Sequence, residues 1–499
     1  MKSVMNKEQI YVYRIILIFF LGVTIYLSAK LLTAAKLPAE LNMSLLYLNC
    51  CTLLPLMYKI RRPFFNLFDP VYIYGFLFYF FYVFSSVVVY NSDKEWESSL
   101  IVNIYEYNIV ITLNYYLGVS IFLFYCAYFF ITRNIKFDIH LFDKEQKFSA
   151  DKILFCLYLF SLAFRMYGYL TGHMGSLAGL QDRGFKFPGV SILLFISNIW
   201  FVYYSYFTIR YFFAGEHKRM WIVFTILEFL FVLIGGDRRY IIEVALIVIS
   251  VYYYKKKTLP WKKILIGVPL FFFVFVPITS VYGYLLETTN GSLSESVGLM
   301  SAVFDMLSVM SPIDLIQDYV IFPLFSQSLF QIPTCQTAYQ YFDLRGVHWG
   351  AVPFQHMANQ VLPSFLIERM DARVYINAFG FEAKRYVQEY SSMTFLVPQE
   401  IITCYGLRFL PLFYVFYGLL IGWLYKVLVK GRGFTKVLYV ASLFCLGYCF
   451  HFGFLTTELT TPLRVLCYYG IYKFIMSIYH KRMPRLRIKA TRKLVGNYY

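Results

Sequence analysis

Residues 71–90 read VYIYGFLFYFFYVFSSVVVY, twenty positions without one charged side chain. A hydrocarbon core about 30 Å thick takes about 20 apolar residues in a helix that rises 1.5 Å per residue, so this stretch has the length of one crossing. In lipid every backbone N–H and C=O must be paired within the protein, which restricts spanning structures to helices and closed barrels. Barrel strands are short and alternate polar with apolar residues. This run is long and continuous, so it reads as a helix. Residues 15–29 and 265–276 repeat the texture.

Working outward, the same texture dominates the chain. Of 499 residues, 59% are apolar, 21% aromatic and only 15% charged. A soluble domain is about 25% charged, so this chain has too few charges to cover a soluble surface. The net charge of +18 invites a nucleic-acid reading. Against that, Lys and Arg gather in short clusters between apolar runs, as the cytoplasmic loops of membrane proteins require, and nucleic acid is not an expected partner. Seven of the nine cysteines lie inside apolar runs, Cys404 starts one, and Cys335 lies in a loop. They form neither a disulfide framework nor a metal-ligand spacing, and no metal or cofactor is expected.

Hydropathy predicts spans at 11–29, 39–58, 70–90, 109–132, 153–171, 188–213, 220–234, 240–254, 264–282, 397–425, 437–455 and 462–479. The 397–425 run is long enough to tilt or to begin before the membrane. The first run is too long for a cleavable signal, and Lys30 and Lys36 after it do not resemble a cleavage site. Basic residues divide between the loops. One set carries Lys59, Arg61 and Arg62; Arg133 to Lys152; Lys218 and Arg219; Lys255 to Lys263; and Lys430 to Lys436. The alternate loops are poor in them, which predicts cytoplasmic N- and C-termini. The expected organisation is an all-α polytopic helix bundle: nine spans over 1–282, an outer loop domain at 283–396, three more spans over 397–479, and a basic cytoplasmic tail at 480–499. The outer loop holds ten acids against five bases, the balance expected of a non-cytoplasmic segment. Within it Met300, Val303, Phe304 and Leu307 fall at helical spacing, as in an amphipathic helix packed on the bundle or on the membrane face. No GxxxxGK[ST] pattern occurs, which argues against ATP as energy source.

Candidate chemistry collects toward the outer side. Ile234-Gly235-Gly236-Asp237-Arg238-Arg239-Tyr240 is a tight turn between two spans. Its glycines permit close backbone approach, and its paired guanidinium groups suit phosphate. A plain hairpin whose arginines contact anionic lipid or Asp237 fits the same residues. Arg165, Glu228 and Glu243 are charges inside apolar runs, expected to face a partner or a wet cavity. An Arg165–Glu228 or Arg165–Glu243 ion pair is one reading of them, and the lining of an outer cavity is the other. The large loop offers Arg345, His348 and Trp349, then His356, then Glu382, Lys384 and Arg385. Histidine can act as a base near neutral pH, and an indole can stack on a sugar face. Ordinary ectodomain surface is the favoured reading of any one of these residues taken singly. Glu400 follows Pro398 at the start of the tenth span, where the helix dipole favours an acid. His451, Glu458 and Arg464 near the last outer turn read as capping and pairing around Pro462.

Two of these stretches resemble those of the Wzy-type O-antigen (oligosaccharide repeat unit) polymerases of bacterial inner membranes. One is Gly235-Gly236-Asp237-Arg238-Arg239-Tyr240 with the span after it, ending in Tyr252-Tyr253-Tyr254-Lys255-Lys256-Lys257. The other is 394–406, TFLVPQEIITCYG, with Gly418 and Gly422 following inside the span. The general plan of spans, one large periplasmic loop in the second half and many aromatics is similar over nearly the whole chain. The resemblance implies transfer of a growing glycan from undecaprenyl pyrophosphate to a hydroxyl of an incoming lipid-linked unit at the periplasmic face. It implies the lipid-pyrophosphate-linked oligosaccharide and membrane lipid as partners, with a chain-length regulator as a further candidate. On that reading Arg238, Arg239, Arg345 and Arg385 bind pyrophosphate. His348, Glu400 or Glu382 deprotonates the acceptor, Trp349 contacts sugar, and Arg165 and Glu243 line the cavity. The alternatives are an O-antigen ligase, which shares the architecture, and a glycolipid flippase or transporter, which would place its charges nearer the midplane.

Overall fold

The computed structural model of the chain describes residues 6–33, 39–62, 65–87, 107–135, 151–170, 199–215, 218–235, 239–270, 397–431 and 434–448, with a few isolated positions besides. Among these residues the regular structure is helical and no strand occurs. Among the described residues five helices are long and apolar enough to cross a membrane: Lys7–Leu32, Ala39–Ile60, Pro70–Val87, Asn108–Thr132 and Leu407–Lys430. The expected span at 462–479, the later part of 264–282 and the loop domain with its 300–307 stretch lie outside the described residues.

In chain order the helices are α1 (Lys7–Leu32), α2 (Ala39–Ile60), α3 (Pro70–Phe78), α4 (Tyr107–Thr132), α5 (Asp151–Leu170) and α6 (Trp200–Ala214). They continue as α7 (Lys218–Gly235), α8 (Arg239–Lys256), α9 (Trp261–Leu270), α10 (Val397–Tyr405), α11 (Leu410–Lys430) and α12 (Phe434–Tyr448). A π-helical turn at Tyr79–Phe84 carries α3 onward.

Local chemistry sets several boundaries. Asn6 caps α1 in a reciprocal box: its side chain accepts from the Gln9 amide, and the Gln9 side chain accepts from the Asn6 amide, both at 2.8 Å. The Gln9 carboxamide then donates to the carbonyls of Ile60 and Arg62, which the end of α2 leaves without helical partners. Asp69 caps α3, with Pro70 in the first turn where a missing N–H costs nothing. Pro55 lies inside α2. The expected single span at 397–425 is corrected: the helix stops at Tyr405, and the long helix runs on to Lys430. Gly406 makes the break at φ +84, a conformation that side chains disfavour.

Contacts fix the relative directions. α1 and α2 are antiparallel: Gln9 meets the end of α2, while Thr24 accepts from Asn49 further along both helices. α2 and α4 are parallel, since Asn114 donates to Ser44 near one end and Lys59 lies over Phe129 near the other. α4 and α11 are parallel too: Gly418 sits on the carbonyl of Phe124, and Gly422 lies against Tyr128 and Ile131. α5 and α7 run together, from Phe155–Phe224 to Arg165–Glu228. α6 opposes both, pairing Phe207 with Phe155 and Trp200 with Arg165. α8 follows α6, with Tyr252 on Phe212 and Lys255 over Phe213. α9 begins beside the start of α1, where Tyr11 meets Trp261.

These directions bring Lys59, Lys218, Lys255, Lys262, Lys430 and Lys436 to one end of the bundle, called here the basic end. The outward faces are apolar: Leu412, Phe416, Leu419 and Trp423 form an exposed stripe on α11. Opposite the stripe, Gly418, Ile421, Gly422 and Tyr425 are buried.

Candidate functional site

Arg165, Glu228 and Glu243 lie toward the end opposite the basic one. Arg165 is five residues from the end of α5, Glu228 seven from Gly235, and Glu243 four past Arg239. At 1.5 Å per residue both acids lie within about 10 Å of the α7–α8 turn along the axes. All three are buried, at 4%, 2% and 4% exposure, so they belong to the protein interior and not to the lipid face.

Arg165 and Glu228 form a two-toothed ion pair, Nη1 to Oε2 at 2.8 Å and Nη2 to Oε1 at 2.7 Å. Of the two partners that the sequence allowed for Arg165, the structure pairs it with Glu228. The Tyr158 hydroxyl donates to the same Oε1 at 2.6 Å. Aromatic rings flank the cation: the guanidinium carbon lies 5.2 Å from the Trp200 ring centre and 4.8 Å from that of Phe231. Such contacts stabilise a desolvated cation by roughly 2 kcal/mol each. Ser161, one turn before Arg165, donates to the carbonyl of Ser197 at 2.8 Å and ties α5 to the chain entering α6. The guanidinium fork is thus directed at Glu228, which makes the pair a strut between helices rather than a base or an open phosphate grip.

The other candidates are placed less fully. Arg239 opens α8, but its side chain lies outside the described residues, and so does all of Arg238. Glu400 falls within α10, its side chain likewise outside. Arg345, His348, Trp349, His356, Glu382, Arg385, His451, Glu458 and Arg464 also lie outside the described residues.

Three features escaped the sequence reading. Tyr158, Trp200 and Phe231 complete the charge cluster, yet each looks like one more aromatic in an apolar run. Arg408 is an exposed cation in the short turn Leu407–Phe409, between α10 and α11 at the end away from the basic clusters. The third is a buried polar network at the basic end. Asn66 donates to the hydroxyls of Tyr425 at 3.0 Å and Tyr439 at 2.7 Å. It accepts from the Phe68 amide and the Tyr254 hydroxyl, both at 3.2 Å. Tyr439 donates to the Phe68 carbonyl at 2.8 Å. Asp69 accepts from Tyr128 and pairs with Lys59 at 3.6 Å. Burial pushes the Asp69 carboxyl up from the ordinary carboxylate range, while Lys59, Tyr128 and the Val71 amide pull it part of the way back. The Asn66-x-x-Asp69-Pro70 cap pattern was the one visible sign of this loop.

Fold and charge placement define the class: an all-α protein with multiple helices of membrane-crossing length, and a buried cluster of charges toward one end. The chain matches no protein-family model, and comparison with curated proteins and with solved structures returns no match.

Proposed function

We propose that the chain is a polysaccharide polymerase of bacterial inner membranes. It joins undecaprenyl-pyrophosphate-linked oligosaccharide units at the periplasmic face, on a bundle of about twelve spans with cytoplasmic termini. The observation that carries the reading is the separation of charge along the bundle. Lysines and arginines of the connecting loops gather at one end, as cytoplasmic loops require. Toward the opposite end lie the buried Arg165, Glu228 and Glu243 and, by chain order, the turn bearing Arg238 and Arg239. α9 starts at the basic end and α11 descends toward it, so the single crossing that α9 begins leaves 283–396 on the outer side. The resemblance of the 235–240 and 394–406 stretches supplies the reaction class.

In this mechanism Arg238, Arg239, Arg345 and Arg385 hold the pyrophosphate as it leaves the anomeric carbon. His348, Glu400 or Glu382 takes the proton of the acceptor hydroxyl, and Trp349 stacks on sugar. Preorganised cations favour departure of an anionic leaving group because they need not reorient as its charge develops. Arg165, braced by Glu228, forms with Glu243 the wall beneath the turn. The bond energy of the lipid-pyrophosphate donor drives the transfer.

Deletion of the gene in its host tests this. Lipopolysaccharide capped with a single repeat unit supports polymerisation, while complete loss of surface glycan marks a ligase. In liposomes, processive glycan growth without vectorial lipid movement separates the enzyme from a flippase. Arg238→Ala and Arg239→Ala are expected to abolish long chains at normal membrane levels. Normal ladders from both variants remove the pyrophosphate role.

A further inference from the structure

We infer that Tyr158, Glu228 and Arg165 form a positioning unit that fixes the end of α7 and the start of α8 for binding of a phosphorylated lipid. The inference rests on the proposed function for its kinetic readout.

Both oxygens of Glu228 are engaged: Oε2 by one Arg165 nitrogen, Oε1 by the other and by Tyr158. Three donors on two oxygens define the plane as well as the position of the carboxylate. All three come from two residues of α5, so α7 is held against rotation and sliding relative to that one neighbour. The rings of Trp200 on α6 and Phe231 on α7 lie against the guanidinium, so the cation is packed as well as paired. Gly235, the end of α7, lies only seven positions beyond Glu228. Those residues contain no other ionic anchor, since 229–235 read FLFVLIG. α8 opens four positions beyond Gly235, at Arg239, so a link of only three residues joins the two helices.

A cation that grips phosphate must be held to a fraction of an ångström, and displacement by about 1 Å costs up to about a hundredfold in rate. A membrane-insertion anchor would need only charge neutralisation. The two-toothed geometry with a third donor exceeds that need, and this excess points to positioning.

The test uses the full chain in liposomes with the lipid-pyrophosphate-linked oligosaccharide as titrated substrate. Tyr158→Phe deletes one donor and keeps the ring; Arg165→Lys keeps the charge and loses the fork. Both are expected to reach the membrane at wild-type levels, with KM for the lipid-linked unit raised about tenfold and Arg165→Lys failing to rescue. The inference is overturned if KM is unchanged in both, or if lost activity merely tracks lost protein. Failure of the polymerase reading is separate, and shows as an inactive wild type. In that case amide exchange over 228–235 decides: faster exchange confined to this segment in Tyr158→Phe supports the unit, and unchanged exchange overturns it.

Discussion

Gly418 of α11 rests directly on the main-chain carbonyl of Phe124 in α4, so close that no side chain fits between the two helices. One turn on, a Cβ at Gly422 would stand 3.1 Å from the Ile131 side chain and 3.3 Å from the Tyr128 carbonyl. Small residues four apart let spanning helices approach closely where the hydrophobic effect gives no drive to associate.

Gly418→Ala therefore forces α4 and α11 apart or strains both, at a cost of roughly 1–3 kcal/mol as overpacking goes. Gly422→Ala meets a movable side chain first and should cost less. Thermal unfolding in detergent is expected to rank wild type above Gly422→Ala above Gly418→Ala. Equal midpoints for all three would mean the helices are not in contact there.

At the basic end, Asn66 holds α8, α11 and α12 through the hydroxyls of Tyr254, Tyr425 and Tyr439. A net hydrogen bond contributes about 1 kcal/mol, and an orphaned buried partner costs about 1–3 kcal/mol. Asn66→Ala should thus destabilise more than Tyr254→Phe. The double variant should lose less than the sum of the two, because the groups share partners. Full additivity in chemical denaturation would contradict a shared network.

Asp69 makes the stability of this end depend on pH. Burial raises its carboxyl above the unfolded value, so the folded state binds the proton more tightly than the unfolded chain does. The favourable contribution is present below the ordinary carboxylate range and is lost as pH rises through the raised folded value. Asn at this position keeps the cap on Val71 and cannot ionise. Asp69→Asn should flatten the fall in stability between acid and neutral pH, measured as midpoint against pH in one detergent. A wild-type profile that rises over that window would reverse the assignment.

Length and apolarity were legible because one crossing needs about 20 uninterrupted apolar residues, and that signal is one-dimensional. The break at Gly406 was not, because a glycine and one arginine inside a long apolar run are compatible with a continuous helix, and only the backbone angle records the stop. Arg165 and Glu228 were visible as charges in apolar runs. Sequence sets their depth but not the direction in which each points, so Glu243 remained an equal partner until the contacts chose. Tyr128, Tyr254, Tyr425 and Tyr439 went unread for the same reason. Among 47 tyrosines an inward-facing hydroxyl has no local mark.

The Arg165–Glu228 pair yields the sharpest contrast between variants. A buried pair contributes little net stability over apolar replacements, because desolvating two charges offsets their attraction. Removing one partner is different, since it strands the other charge among apolar groups and costs about 3–5 kcal/mol. Glu228→Leu takes away the carboxylate that the Arg165 fork grips beside Trp200 and Phe231, and Arg165→Leu takes from Glu228 two of its three donors and leaves the Tyr158 hydroxyl. Both single variants should insert poorly or unfold early. The double replacement by Leu should recover most of the folded yield, because no charge is left stranded. If the positioning inference also holds, that stable double variant stays impaired in activity, which separates what the pair does for stability from what it does for the helix ends beyond it. A double variant no better folded than either single would show that the two side chains do not neutralise each other.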